Sequence, residues 1–358
     1  MLAAAFARGA RQARGGEFTQ RAFLSGRMDL IQAESVADLI DAESTGAARN
    51  AVGQLQGRMS RSVGGIYDAL MDVVSRFYAI VDYPDEEIEP LQQAQIEQTL
   101  AESAERLDAL LATFSRGRLL KSGVPAVILG KPNAGKSSLL NALLGYDRAI
   151  VTDIAGTTRD TVEEKVLVGS VLLRLCDTAG IRDAADTVER LGVERAQQAA
   201  QRAELALLVL DGSAPLTRED EEAIAAARRA RRMLVLVNKA DLPQVLDTAA
   251  LRVRFGEVIP LSARRGAGVD ALCRAVEELF AGGETPRGEL LTNARQAESA
   301  QRALDAVRRA EQALRSGLSP DAVLTDAEEA MEALAEFSGK RVRDDLVATI
   351  FSRFCVGK

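Results

Sequence analysis

The sequence contains no histidine among its 358 residues. Imidazole acid–base catalysis is therefore excluded, and any catalysis must use carboxylates, cations and backbone dipoles. Tryptophan is also absent and aromatic residues make up 4% of the chain. This scarcity argues against platforms that stack single-stranded bases.

Cysteine and long apolar runs are scarce as well. Three cysteines in a chain of this length do not make a disulfide framework, which indicates a reducing compartment and a cytoplasmic protein. We expect Cys176 and Cys273 to be core residues. No apolar stretch approaches the roughly 20 residues of a membrane helix, so no membrane association is expected. The first sixteen residues are rich in Arg and free of acids, as mitochondrial transit peptides are, but the whole chain is equally rich in Ala and Arg.

The net charge of −7 provides no global basic field, so an RNA contact must use a local patch.

The most informative stretch begins with an apolar run at Ala126, continues through Gly130–Ser137 and passes into a helical pattern. Glycines let backbone N–H groups and a helix N-terminus point at a phosphate. Lys136 can reach the β- and γ-phosphates, and the Ser137 hydroxyl can bind Mg²⁺. Taken alone, the pattern is also compatible with an ordinary strand-to-helix connection. The residues predicted to contact phosphate are Asn133, Ala134, Gly135, Lys136, Ser137 and Ser138.

Three further elements follow apolar runs in the order expected of a GTP-binding domain. An Asp after Val168–Cys176 can hold the Mg²⁺ shell. A carboxylate after Met233–Val237 can accept two hydrogen bonds from guanine, which adenine cannot supply. Backbone amides after Val258–Leu261 can meet the guanine O6. The predicted contacts are Asp177, Thr178, Ala179 and Gly180, then Asn238, Lys239, Ala240 and Asp241, then Ser262, Ala263 and Arg264.

The catalytic groups are less evident from the residues. Ras-like enzymes place a water-orienting Gln where this chain has Ile181, so another side chain must orient the water. The acidic candidates in the following loop are Asp183, Asp186, Glu189 and Glu194. Positive charge for the transition state could come from Arg159 or Arg182, or from a monovalent cation held by Asn133 and the carbonyls of the loop 152–157. Thr158 is a natural second Mg²⁺ ligand.

Hydrophobic periodicity predicts an α/β P-loop GTPase domain, with a mostly parallel sheet and helices on both faces, inserted into an all-α helical bundle. The GTPase domain is expected at 121–283, and the two parts of the helical domain at 18–120 and 284–358. Ser319 and Pro320 are expected to start a helix. The helical period is carried by Leu30, Ala33, Ala37, Ile40, Ile96, Leu100, Leu107, Leu110 and Phe114.

Both ends and the GTPase motifs resemble the MnmE (TrmE) family of tRNA-modifying GTPases. The matching stretches are GEFTQRAFLSGRMDLIQAESVADLIDA (16–42), GKPNAGKSSLLNAL, TDIAGTTRD (152–160), DTAGIR, NKAD and the terminal FCVGK. The resemblance implies a K⁺- and Mg²⁺-dependent GTPase that produces GDP and phosphate. It further implies addition of a carboxymethylaminomethyl group to C5 of the tRNA wobble uridine, with the flavoprotein partner MnmG and a tetrahydrofolate. In the family, two GTPase domains associate as a homodimer across the potassium.

The resemblance also implies residue roles. Glu189 positions the attacking water, Lys136 and potassium stabilise charge, and Cys355 is implicated in the modification chemistry, although an unreactive thiol at a frayed terminus is an equal alternative. The implied ligands are Ser137 and Thr158 for Mg²⁺, and Asn133, Thr152, Ile154 and Thr157 for K⁺. The implied nucleotide-contacting loop comprises Thr152, Asp153, Ile154, Ala155, Gly156, Thr157 and Thr158.

The start of the chain departs from the family pattern. Residues 1–17 correspond to the end of an N-terminal folate-binding domain, so we expect a truncated form or a misassigned start. Arg27 and Lys358 fall at positions that contact folate in the family, but neither folate binding nor constitutive dimerisation follows for this chain alone. Two other functions fit the core motifs. One is an Era- or Der-like ribosome-assembly GTPase acting as an RNA-binding switch, a family that carries a compact α/β RNA-binding domain after the GTPase domain. The other is a non-hydrolysing scaffold.

Overall fold

A computed structural model describes residues 2–82, 90–146, 164–176, 189–280 and 288–339. The chain divides into two compact units, one made of Met1–Lys121 with Thr285–Lys358 and the other of Ser122–Glu284. The first unit is helical in its described part and the second is α/β, so the predicted fold class is confirmed. The assignment of residues 1–17 to a separate remnant stays a prediction.

The helical unit begins with two short helices and continues with longer ones. Among the described residues they are α1 (Leu2–Ala7), α2 (Glu17–Leu24), α3 (Leu30–Ile40), α4 (Thr45–Leu55), α5 (Arg58–Asp82), α6 (Pro90–Ala112), α7 (Phe114–Ser122), α13 (Ala294–Arg315) and α14 (Pro320–Ser338). Local signals set several starts: Asp29 and Gln32 form a capping box at α3, and Pro320 occupies the first turn of α14 as predicted. No helix in the described part of the chain is long and apolar enough to cross a membrane.

The core of the helical unit lies between α5, α6, α13 and α14. Phe77 of α5 and Phe337 of α14 are fully buried in it. Helix α13 contributes small buried side chains, such as Ala303 and Ala306, to the same core. Small residues at a contact let helix axes approach closely. Helices from both ends of the chain therefore build one hydrophobic core.

The α/β unit contains a six-stranded sheet. Its strands are β1 (Val124–Leu129), β2 (Glu164–Val168), β3 (Val171–Leu175), β4 (Leu205–Asp211), β5 (Arg232–Asn238) and β6 (Val258–Pro260), in the order β2-β3-β1-β4-β5-β6. Strand β2 is antiparallel to β3, and the other neighbours are parallel. The helices described in this unit are α8 (Lys136–Tyr146), α9 (Glu189–Arg202), α10 (Arg218–Ala227), α11 (Thr248–Phe255) and α12 (Val269–Phe280).

Two details differ from the sequence prediction. The apolar run Val168–Cys176 is not one strand, because Gly169 (φ 61°) turns the chain between β2 and β3. The carboxylate of Glu277 fixes this turn by accepting a hydrogen bond from the Ser170 N–H at 2.7 Å. The expectation that Cys176 and Cys273 lie in the core is wrong, since both are partly exposed.

Candidate functional site

The sheet topology brings three of the predicted nucleotide elements to one edge. Strands β1, β4, β5 and β6 are parallel neighbours, so the loops that follow their carboxyl ends lie side by side. In an open parallel sheet, ligands bind at this edge. The phosphate loop (Gly130–Ser137) follows β1, the Asn238–Asp241 element begins at the end of β5, and Ser262 comes two residues after β6.

Two glycines allow the phosphate loop to lie directly against the strands. A Cβ on Gly130 (φ 156°) would lie 2.3 Å from the Val209 carbonyl oxygen. A Cβ on Gly135 (φ 103°) would lie 2.0 Å from Asn238 Nδ2. A larger side chain would displace the backbone of β4 at the first position and the Asn238 side chain at the second. Asn133 between them is left-handed, with φ of 59°.

Lys136 is folded across the loop that precedes it. Its Nζ donates hydrogen bonds to the carbonyl oxygens of Gly130 and Lys131, both at 2.8 Å. Burial of the ammonium lowers the pKa of Lys136. Two neutral carbonyls hold this charge, and a phosphate oxygen is a stronger, charge-assisted acceptor. The ammonium therefore lies where an anionic ligand in the loop would meet it.

Asn238 joins the phosphate loop to the two loops predicted to hold guanine. Its Nδ2 donates to the Ala134 carbonyl at 2.8 Å, and its Oδ1 accepts from the Ala263 N–H at 2.9 Å. The side chain is buried, with 3% exposure. The Ala240 N–H donates to the Leu261 carbonyl at 3.0 Å and adds a second link between the same loops. One buried amide thus fixes the spacing between the phosphate and base regions.

Asp241 is held with its carboxylate in a defined orientation. The Ser262 hydroxyl donates to Oδ1 at 2.6 Å, and Arg265 Nε lies 3.6 Å from Oδ2. The hydrogen bond from Ser262 is the main cause that holds the pKa of Asp241 below its ordinary value. The group is therefore an ionised acceptor at neutral pH.

Asp211 is part of the site although the sequence reasoning missed it. It ends β4, and its Oδ2 accepts a 2.6 Å hydrogen bond from Lys239 Nζ. Its Oδ1 accepts from the N–H and the hydroxyl of Ser213. Burial by itself raises the pKa of Asp211, but these hydrogen bonds outweigh burial and lower it. The sequence contains a signal that could have identified Asp211: it is a carboxylate directly after an apolar run, and that run is a buried strand that ends at the same edge of the sheet.

The structure brings together only part of the predicted site. Residues 133–138, 238–241 and 262–264 lie at this edge, with Ser137, Ser138 and Arg264 exposed. Arg27 is exposed in the turn after α2. Glu189 is the first residue of α9, but its side chain and that of Glu194 are outside the description. Also outside the described residues are Thr152, Asp153, Ile154, Ala155, Gly156, Thr157, Thr158, Arg159, Asp177, Thr178, Ala179, Gly180, Ile181, Arg182, Asp183, Asp186, Cys355 and Lys358.

The fold and this edge of the sheet define the class: a P-loop GTPase domain carried within a helical domain. A family model, the MnmE helical domain, matches residues 30–355. The tRNA modification GTPase MnmE of Roseiflexus sp. (strain RS-1) is 44% identical over 370 residues, covering 100% of this chain and 79% of the relative. The protein of the same name from Lacticaseibacillus paracasei is 43% identical, covering 98% and 76%. That from Heliobacterium modesticaldum is 42% identical, covering 100% and 78%. The chain belongs to the MnmE family.

Family membership decides against the Era- or Der-like alternative. The resemblance to MnmE is confirmed, and with it the GTPase class. The Era- or Der-like alternative expected a compact α/β RNA-binding domain after the GTPase domain. Instead, Ala294–Arg315 and Pro320–Ser338 are helices of the bundle.

Proposed function

We propose that this protein hydrolyses GTP to GDP and phosphate with Mg²⁺ and K⁺, and that hydrolysis is coupled to modification of tRNA. The observation that carries the proposal is the buried Asn238 side chain, which links the phosphate loop to the loops around Asp241 and Ser262. A site built this way holds a phosphate group and a purine base at a fixed separation. The relatives named tRNA modification GTPase MnmE support the coupling to tRNA.

Different described residues would bind the phosphates and the base of the nucleotide. Backbone N–H groups at the start of α8 and the Lys136 ammonium would hold the β- and γ-phosphates. The Asp241 carboxylate would accept hydrogen bonds from the guanine N1 and N2 groups. Residues 262–264 would present backbone amides to the guanine O6. Adenine lacks these two donors, so the carboxylate acceptor of Asp241 would be left unpaired and would select against ATP.

The described residues include one of the proposed ligands of each metal ion. Ser137 places a hydroxyl in the first turn of α8 beside Lys136, and Asn133 is exposed in the left-handed turn of the loop. Ser137 with Thr158 would hold Mg²⁺, and Asn133 with Thr152, Ile154 and Thr157 would hold K⁺. When bound, the two ions supply positive charge that offsets the negative charge developing on the phosphates.

Glu189 is proposed to orient the attacking water. It begins α9, which follows the Asp177–Gly180 element in the chain. We expect Glu189→Ala to reduce kcat at least about a hundredfold, the scale for losing a general base, with GDP affinity nearly intact. Single-turnover phosphate release with labelled GTP measures the rate, and Glu204→Ala is a matched control because Glu204 pairs with Arg231 after α9. Unchanged turnover in Glu189→Ala would assign the water to another group. A wild type that binds GTP without releasing phosphate would instead support the non-hydrolysing scaffold.

The dependence of GTP hydrolysis on potassium distinguishes two sources of the positive charge, a bound cation and an arginine finger. We expect faster GTP hydrolysis in KCl than in NaCl at equal ionic strength, because the site would select the larger ion. The Asn133→Ala variant should lose this difference while retaining nucleotide. Equal wild-type rates in both salts, with loss of activity in Arg159→Ala or Arg182→Ala, would assign the charge to an arginine instead.

The finer steps of the tRNA reaction are part of the same proposal. The added group would be carboxymethylaminomethyl at C5 of the wobble uridine, installed with the flavoprotein MnmG. GTPase domains would pair as a homodimer during hydrolysis, and Cys355 would act in the modification. A tetrahydrofolate would contact Arg27 and Lys358 only where the rest of its pocket is supplied. Location in the cytoplasm stays a prediction.

A further inference from the structure

An ion pair links the first turn of the phosphate loop to a residue that is far away in the sequence. Lys131 Nζ donates to Asp220 Oδ2 at 2.7 Å, across 89 residues of sequence. The exposed fractions of the two side chains are 11% and 1%. A buried pair of this kind is geometrically defined and little screened by solvent.

Asp220 is itself rigidly placed. It is the third residue of α10, and its Oδ2 also accepts from the N–H and the hydroxyl of Thr217, the N-cap residue, both at 2.8 Å. The Thr217 hydroxyl accepts from the Asp220 N–H in return, which completes a capping box. The first turn of α10 is therefore a fixed anchor for the Lys131 side chain.

Lys131 connects this anchor to the phosphate-binding lysine. Its side chain points to Asp220, while its carbonyl oxygen accepts a hydrogen bond from Lys136 Nζ at 2.8 Å. The adjacent Gly130 carbonyl accepts the second hydrogen bond from the same ammonium. The orientation of these two carbonyls depends on the backbone at Lys131, and the tether to Asp220 restrains that backbone.

We propose that Lys131 and Asp220 are positioning residues that fix the first turn of the phosphate loop and thereby place Lys136 for the phosphates. The inference rests on the proposed function, since it concerns nucleotide bound in this loop. Asp220 would contact no nucleotide atom and would act through Lys131. Helix α10 thus sets nucleotide affinity without contributing a nucleotide contact.

The test measures GDP dissociation and steady-state GTPase kinetics in the full chain. Lys131→Met removes the tether, and we expect about tenfold faster release of a fluorescent GDP analogue, the scale of one charge-assisted hydrogen bond. We expect KM for GTP to rise about tenfold with kcat changed less than about threefold. Lys131→Arg should restore wild-type release, because a guanidinium can also reach the carboxylate.

The matched control is Arg254→Met. Arg254 forms an ion pair at 2.5 Å with Glu221, the residue after Asp220 on the same helix, and neither residue belongs to the phosphate loop. Its loss should leave GDP release unchanged. Equal acceleration in Lys131→Met and Arg254→Met would overturn the proposal, because it would show a general effect of loosening α10.

A double variant keeps the test valid if Lys131→Met is poorly folded. Lys131→Met leaves the buried Asp220 carboxylate without its cation, and Asp220→Asn removes that charge while keeping an oxygen for Thr217. The pair acts as a unit, so Lys131→Met with Asp220→Asn should release GDP no faster than the worse single variant. Additive losses, or wild-type release in all folded variants, would contradict the positioning role. A wild type that binds no GDP would contradict the proposed function instead.

Discussion

At the scale of single residues, the choice of nucleobase depends on whether one carboxylate remains an acceptor. The hydrogen bond from Ser262, with Arg265 beside the other oxygen, lowers the pKa of Asp241, so the carboxylate stays an ionised acceptor at neutral pH. An amide in the same place presents one acceptor and one donor. The consequence for base selection can therefore be predicted from hydrogen-bond chemistry alone.

We expect Asp241→Asn to weaken GTP binding by about a hundredfold or more, because the guanine N1 and N2 donors would face an amide N–H₂. Xanthosine triphosphate, which has a carbonyl in place of the N2 amine, should then bind better than GTP. Competition of the two nucleotides against a fluorescent GDP analogue measures the change.

Asp247→Asn is the control for the base-specificity variant. Asp247 caps α11 by accepting from the N–H groups of Ala249 and Ala250, and Asn also caps helices well. Base preference should not change there. Retained preference for GTP in Asp241→Asn would show that Asp241 does not read the base.

At the scale of elements, sequence periodicity predicted the helices and strands better than their ends. Leu30, Ile96 and Leu100 are buried as predicted, because their helices each present one apolar face to a core. Ile40 closes α3 with 39% exposure, since the stripe continues past the point where the helix has a neighbour. The turn at Gly169 was missed because apolar residues flank it on both sides.

In the site, residues that carry a local sequence pattern were predicted, whereas contacts between distant parts of the chain were not. The phosphate loop and the loop at Asn238 were predictable because each follows a buried strand with its own residue pattern. The ion pair of Lys131 with Asp220 and that of Asp211 with Lys239 were not predicted. Such pairs depend on which strands become neighbours, which composition and periodicity do not specify.

Helix α7 packs so closely that one of its positions requires glycine. A Cβ on Gly117 would lie 2.0 Å from the Leu291 carbonyl oxygen, and the Leu291 N–H donates to the Thr113 hydroxyl at 3.0 Å. We expect Gly117→Ala to lower the free energy of unfolding of the helical unit by about 2 kcal/mol, as overpacking does. Urea unfolding followed by far-UV circular dichroism measures it.

Gly64→Ala provides the opposite expectation in the same unit. Gly64 lies within α5, and no heavy atom would lie within 4 Å of an added Cβ. Alanine should stabilise this helix by roughly 0.5–1 kcal/mol through its higher helix propensity. Equal effects of the two substitutions would show that the contact with Leu291 does not limit position 117.

At the scale of the whole molecule, the helical unit draws its core, among the residues that the structure describes, from both ends of the chain. The core residues between α5, α6, α13 and α14 fall within 31–110 and 291–337. Gly117, before the inserted unit, contacts Leu291, after it, so described segments on either side of the insertion lie together in the helical unit. Insertion of a folded unit at such a place costs the host little.

Replacing residues 122–284 with a short Gly/Ser linker should therefore leave a folded helical unit. We expect a cooperative thermal transition in the helical far-UV signal, because every described member of the core between α5, α6, α13 and α14 is retained. The separately expressed segment 122–284 should bind GDP, since β1, β5 and β6 and the loops that follow them all lie within it. A linker variant with a broad transition that binds a hydrophobic dye would show a molten core. The bundle would then need the inserted unit, although every core residue described between α5, α6, α13 and α14 lies outside that unit.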